Sequence, residues 1–161
     1  MSWQPTMRII VRNLVNDVVE PVAFSNSRLE EAIVVSAQLL VLDTDFGQVY
    51  TVNIPATGIT PDPVDSVDNS FINLVSLKAG CLVLGSKIQT ESANSISVTD
   101  GPSQINMGGN LAGYKMVYED LCSRYDEAKL NYQAGGRAGT VILGPYSPGS
   151  DVVGFMTSSY R

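Results

Sequence analysis

Apolar residues recur at three- and four-residue spacing through much of the chain, the mark of amphipathic helices. Ile10, Val11 and Leu14 fall at helical spacing with Arg8 and Arg12 on another side, which predicts a short helix over 7–17. Pro21 predicts an irregular loop over 18–26. Ser27 and Glu30 read as a capping box, Ser27 capping and Glu30 reaching back. Behind them Leu29, Ile33, Ser36, Ala37 and Leu40 predict a helix over 28–42. The pattern then changes. Residues 49–54 alternate as a short strand would, and Pro55, Pro61 and Pro63 predict an extended connector up to residue 67. Asp68 is placed to cap a helix over 69–88 that is apolar nearly all round, including Leu74, Val75 and Leu82, so it is expected at the centre of the fold. Gly80 and Gly85 inside it suit a site where a neighbouring helix packs closely.

Two short alternating runs, around 96–98 and 105–107, flank a turn containing Gly101 and predict a β-hairpin near 94–108. The regular pattern of 110–133 follows. Leu111, Tyr114, Tyr118, Leu121, Tyr125, Ala128 and Tyr132 step alternately by three and four, a heptad seam rich in tyrosine. Such a stripe is either core or interface, and the tyrosine hydroxyls favour a partly wet edge. A possible subunit seam is thus Tyr114, Tyr118, Leu121, Tyr125 and Tyr132. Ala134, Gly135 and Gly136 end the helix. Residues 140–161 carry Val141, Ile142, Leu143, Tyr146, Phe155, Met156 and Tyr160, interrupted by Gly144-Pro145 and Pro148-Gly149. Those breaks exclude one continuous helix and predict an extended arm that docks on a neighbour. The expected architecture is mainly α: a bundle of three main helices with a short N-terminal helix, a β-hairpin and a C-terminal arm. The helical domain is expected over 1–139 and the arm over 140–161.

Composition narrows the chemistry. The 161 residues are 44% hydrophobic and 16% charged, and the net charge is −6. Charge is uneven: residues 1–12 carry +2, residues 13–69 hold nine acids against Arg28 alone, and residues 70–161 balance. An acidic excess opposes general binding to nucleic acid, which uses clustered Lys and Arg. With no histidine, triads, Cys-His dyads and imidazole metal ligands are excluded. Cys81 and Cys122 make no CxxC pair and read as two buried, reduced thiols. Neighbouring acids such as Glu30-Glu31 point to different faces of a helix, and Asp43 and Asp45 suit a solvated turn. No Walker A loop is present, and GGNLAG at 108–113 lacks dinucleotide spacing. The reading is therefore no catalytic residue, no metal and no cofactor. No stretch of 18 uninterrupted apolar residues and no leader pattern occurs, so neither a membrane span nor export is expected.

The order of these elements, with the strings Arg12-x-Leu14-x-Asn16-Asp17 and Phe24-Ser25-Asn26-Ser27-Arg28-Leu29-Glu30-Glu31, resembles the small head–tail connector, or adaptor, proteins of tailed bacteriophages. The resemblance covers roughly residues 7–135. It implies a structural virion protein of the phage neck, made in the host cytoplasm. Copies of the chain, twelve by family resemblance, would form a ring between the portal protein and the next neck or tail protein. DNA would pass through the ring without sequence-specific binding. On that reading Glu30, Glu31, Asp43, Asp45, Asp62 and Asp65 form a possible acidic channel face, since a basic wall would retain DNA. A neck stopper or tail-completion protein is the near alternative, and a small helical protein-binding regulator the more distant one.

Overall fold

A computed structural model describes residues 2–94, 97–100, 103–106 and 111–135. The described chain is mainly helical. The order is α1 (Trp3–Leu14), α2 (Asn26–Asp43), β1 (Thr51–Asn53), β2 (Gly58–Thr60), α3 (Asn69–Asn94), β3 (Ser97–Asp100), β4 (Ser103–Asn106) and α4 (Leu111–Ala134). The expected arm and its residues Val141, Ile142, Leu143, Tyr146, Phe155, Met156 and Tyr160 lie outside the described residues. The chain divides into two units, Met1–Glu127 and Ala128–Arg161.

α1 begins earlier than residue 7 because Pro5 belongs to its first turn, where a missing N–H costs nothing. Trp3, Met7 and Val11 form its buried stripe, four residues apart, while Ile10 and Leu14 stay half-exposed. The helix stops at Leu14, short of 17. The Asn16 backbone turns left-handed (φ 56°), the Asn16 N–H donates to the Asn13 carbonyl (3.3 Å) and the Asp17 N–H to the Arg12 carbonyl (2.9 Å). That is a Schellman closure, with asparagine at the position glycine usually takes.

α2 is capped by Ser25, whose hydroxyl accepts from the Arg28 N–H at 3.2 Å. Ser27 is already inside the helix and its hydroxyl donates to Glu31, so the expected Ser27–Glu30 capping box does not form. Leu29, Ile33, Val34, Ala37 and Leu40 are the buried face. The 43–67 segment is more ordered than an extended connector. β1 pairs antiparallel with β2 in the register Thr51–Thr60, Val52–Ile59 and Asn53–Gly58. Asp68 Oδ1 accepts from the Phe71 N–H at 3.0 Å and caps α3, as its position predicts.

α3 is the central helix. It packs on both α1 and α2, and Phe71, Leu74, Val75, Ala79, Val83 and Leu84 are buried. Leu82, expected in the core, is only half-buried. Over Asn69–Ala93 the helix has the length and hydropathy to cross a bilayer, yet 56% of its most apolar window is buried within the protein, the position of a core helix. Phe71 also anchors an aromatic cluster: its ring stacks on Tyr50 at 3.9 Å and meets Phe46 edge-on at 5.1 Å. The predicted second hairpin is present as β3 and β4, with Ser97 opposite Asn106 and Asp100 opposite Ser103.

Candidate functional site

α4 rests Tyr118, Leu121 and Tyr125 of its tyrosine seam on the middle of α3. Leu121 and Tyr125 are buried, and Leu111, Tyr114, Tyr118, Ala128 and Tyr132 are half-buried, while the residues between them are mostly exposed. The stripe therefore faces protein of its own protomer where it meets α3. A Cβ placed on Gly80 would lie 3.4 Å from Leu121 Cδ1, and one on Gly85 would lie 3.3 Å from Tyr118 Cε2. The two glycines thus lie where seam side chains press on α3, as the sequence predicts. Lys78 Nζ sits 4.8 Å from the centre of the Tyr125 ring, a cation–π contact that closes one end.

The cysteines lie in this interface, Cys81 buried and Cys122 half-buried, both as free thiols. Burial, and then the neighbouring Cys122, push the Cys81 thiol well above its ordinary range. The Tyr118 phenol is also raised, chiefly by Cys122 beside it. Lys87 is raised by its 2.8 Å ion pair with Glu91.

The six acids proposed for a channel wall occupy three separate places. Glu30 and Glu31 sit on the first turns of α2. Glu30 is held by Arg8 at 3.2 Å and Glu31 lies 3.9 Å from Arg28. Asp43 and Asp45 are exposed at the exit of α2, beside an open groove of ≈ 330 Å³ that includes Phe46, Val49 and Tyr50. Asp62 and Asp65 lie in the turn after β2. Both carboxylate oxygens of Asp62 are engaged, one accepting from the Trp3 N–H and the other from the Val64 N–H, each at 2.9 Å. Glu30 and Asp62 therefore have local structural roles that composition does not display.

The sequence reading missed a further acid. Asp17 is 6% exposed and binds Arg12 Nη1 at 2.6 Å, the Ala23 N–H at 2.6 Å and the Phe24 N–H at 3.2 Å. Arg12 also donates to the Phe24 carbonyl (2.9 Å) and Asn26 Oδ1 (2.8 Å). The Arg12–Asp17 pair folds the 15–25 loop back on itself and hands the chain to the Ser25 cap. The outside of that loop is apolar: Val18, Val19 and Val22 are exposed, and Val18 and Val22 line an open groove of ≈ 400 Å³ with Ile9. A second exposed apolar group, Leu39, Leu42 and Val49, lies at the other end of α2.

Among the described residues no three Cys, Asp or Glu side chains converge as a metal site would require. Comparison with family models, curated proteins and solved structures gives no match.

Proposed function

We propose that this chain is a structural subunit of a phage neck, a head–tail adaptor that assembles into a ring between portal and tail and lets DNA through its centre. The reading rests on the element order and the strings around Arg12 and Phe24. One structural observation supports it most. The protomer carries two unlike exposed apolar groups, Val18, Val19 and Val22 before α2 and Leu39, Leu42 and Val49 at its far end. Leu39 and Leu42 stand roughly 20–24 Å along α2 from its start beside the first group. A closed ring of identical subunits uses head-to-tail contacts, in which two different patches of each copy meet. Exposed clusters of large apolar side chains on a small protein are costly unless a partner covers them. On this reading the exposed acids at the exit of α2 keep the DNA path from binding its cargo, and the tail carries Val141, Ile142, Leu143, Tyr146, Phe155, Met156 and Tyr160 to the portal or to a neighbouring subunit.

The test is native mass spectrometry and negative-stain microscopy of the chain, alone and with a phage portal protein from the same genome. A closed ring, or a ring formed on the portal, is the expected result. A chain that stays monomeric alone and leaves the portal unbound overturns the proposal. Removing residues 140–161 is expected to leave a folded helical protomer that attaches weakly; unfolding of the shortened chain would place the tail in the protomer core.

A further inference from the structure

The α3–α4 pair brings the chain's two cysteines to one level. The two helices run antiparallel, and three contacts fix their register: Lys78 with Tyr125, Gly80 with Leu121, and Gly85 with Tyr118. Moving three residues forward from Lys78 and three back from Tyr125 sets Cys81 opposite Cys122. Four further steps in the same sense reach the observed Gly85–Tyr118 contact. Cys81 therefore sits between two contacts in which an α4 side chain, Leu121 or Tyr118, rests on a glycine of α3. The thiol of Cys122 interacts with that of Cys81 and with the Tyr118 phenol. A disulfide forms where the helices let two such neighbouring cysteines bring their Cα atoms to roughly 4.4–6.8 Å.

We propose that Cys81 and Cys122 are a redox clip, forming an intrachain disulfide that staples α4 to α3 when the protein meets a small-molecule disulfide such as oxidised glutathione. The half-buried Cys122 is the entry point. Its thiolate attacks one sulfur of the small disulfide, breaking that S–S bond and releasing one thiolate, which takes up a proton. Cys81 then gives up its proton and attacks the Cys122 sulfur, releasing the second small thiol. Two protein thiols are oxidised and one external disulfide is reduced to two thiols. The bond closes the chain between residues 81 and 122, a span that includes β3 and β4. In the reduced protein the non-covalent seam alone holds these helices together.

The full-length protein is incubated with oxidised glutathione, alkylated, and analysed by intact mass and peptide mapping. The expected product is a monomer lacking two hydrogens, with the Cys81 and Cys122 peptides joined, a raised thermal midpoint, and full reversal by dithiothreitol. In Cys81→Ala the reaction should stop with glutathione on Cys122, and Cys122→Ala should stay unmodified. The wild-type map decides the matter even where a variant folds poorly. Stable glutathione on wild-type Cys122, a disulfide-linked dimer, or two thiols that remain fully alkylatable would each overturn the proposal.

Discussion

Asp17 organises a whole corner of the protein from one side chain. It is buried, its ion pair with Arg12 is short, and it accepts from the backbone N–H groups of Ala23 and Phe24. Breaking a buried pair strands the remaining charge, so Asp17→Ala should destabilise the fold by about 3–5 kcal/mol, read from urea unfolding. Sequence alone showed an acid in a net-negative stretch. Its role appears only once Asn16 has turned left-handed and brought the loop round to Ala23 and Phe24. The misplaced cap has the same origin. Ser25 and Ser27 have equal intrinsic claims as caps, and the Arg12 contacts to Phe24 and Asn26 settle the start of the helix at Ser25. Cys81 gives a prediction of another kind. Its thiol is raised above the ordinary value of 9.0, so the native state favours the protonated form. That stabilisation is complete below about pH 9 and declines as pH rises beyond it, because the unfolded chain then loses its proton first. Thermal midpoints should fall between pH 8.5 and 10.5, and less steeply in Cys81→Ala.

At the scale of elements, long periodic segments were legible and short ones were not. α2, α3 and α4 carry enough repeats for their faces to be read directly, and the glycines of α3 correctly pointed to a close helix neighbour. The pairing of β1 with β2 was hidden. Each strand has three residues, and β2 lies between Pro55 and Pro61 in a stretch whose prolines suggest a connector. What fixes it is tertiary: Ile59 is buried, and Tyr50 donates to Asp68 at 2.8 Å next to the Phe71 ring. The glycines of α3 differ in what they can accept. A methyl at Gly80 would meet Leu121, Val15 and Leu14 at 3.4–3.9 Å, ordinary contact distances. Gly80→Ala should therefore raise stability by up to about 1 kcal/mol through helix propensity. Gly80→Phe should instead force α4 away and lower the thermal midpoint. Equal effects from the two substitutions would mean that α4 does not rest on this part of α3.

At the scale of the whole molecule the charge count was legible and its distribution was not. Nine acids in residues 13–69 suggested one negative wall, yet Asp17, Asp62 and Asp68 hold backbone groups in place and Glu30 is paired with Arg8. The exposed valines of the 15–25 loop were equally hard to foresee, because burial depends on which side of a loop faces the body. The proposed ring makes a paired demand on these surfaces. Val19 is 75% exposed and Leu42 73% exposed, so Val19→Glu and Leu42→Glu should leave the protomer's circular dichroism and melting unchanged. Each should still lower assembly at least tenfold, a loss of about 1.4 kcal/mol or more per contact. Mixing the two variants should not restore closed rings, since every closed head-to-tail ring of mixed subunits retains damaged junctions. Full assembly of both variants would assign these patches another purpose.

The bond between Trp3 and Asp62 gives the protein its own optical gauge. Trp3 is the chain's sole tryptophan, 3% exposed, and its backbone is tied to an acid 59 positions along the sequence. Its emission should be blue-shifted whenever α1 is seated against the turn after β2. Asp62→Ala should move that emission to longer wavelength at lower urea than global loss of helix requires, because the first turn of α1 would lose its distant anchor. One fluorescence channel, with no label attached, would then report release of α1 separately from melting of the rest of the molecule.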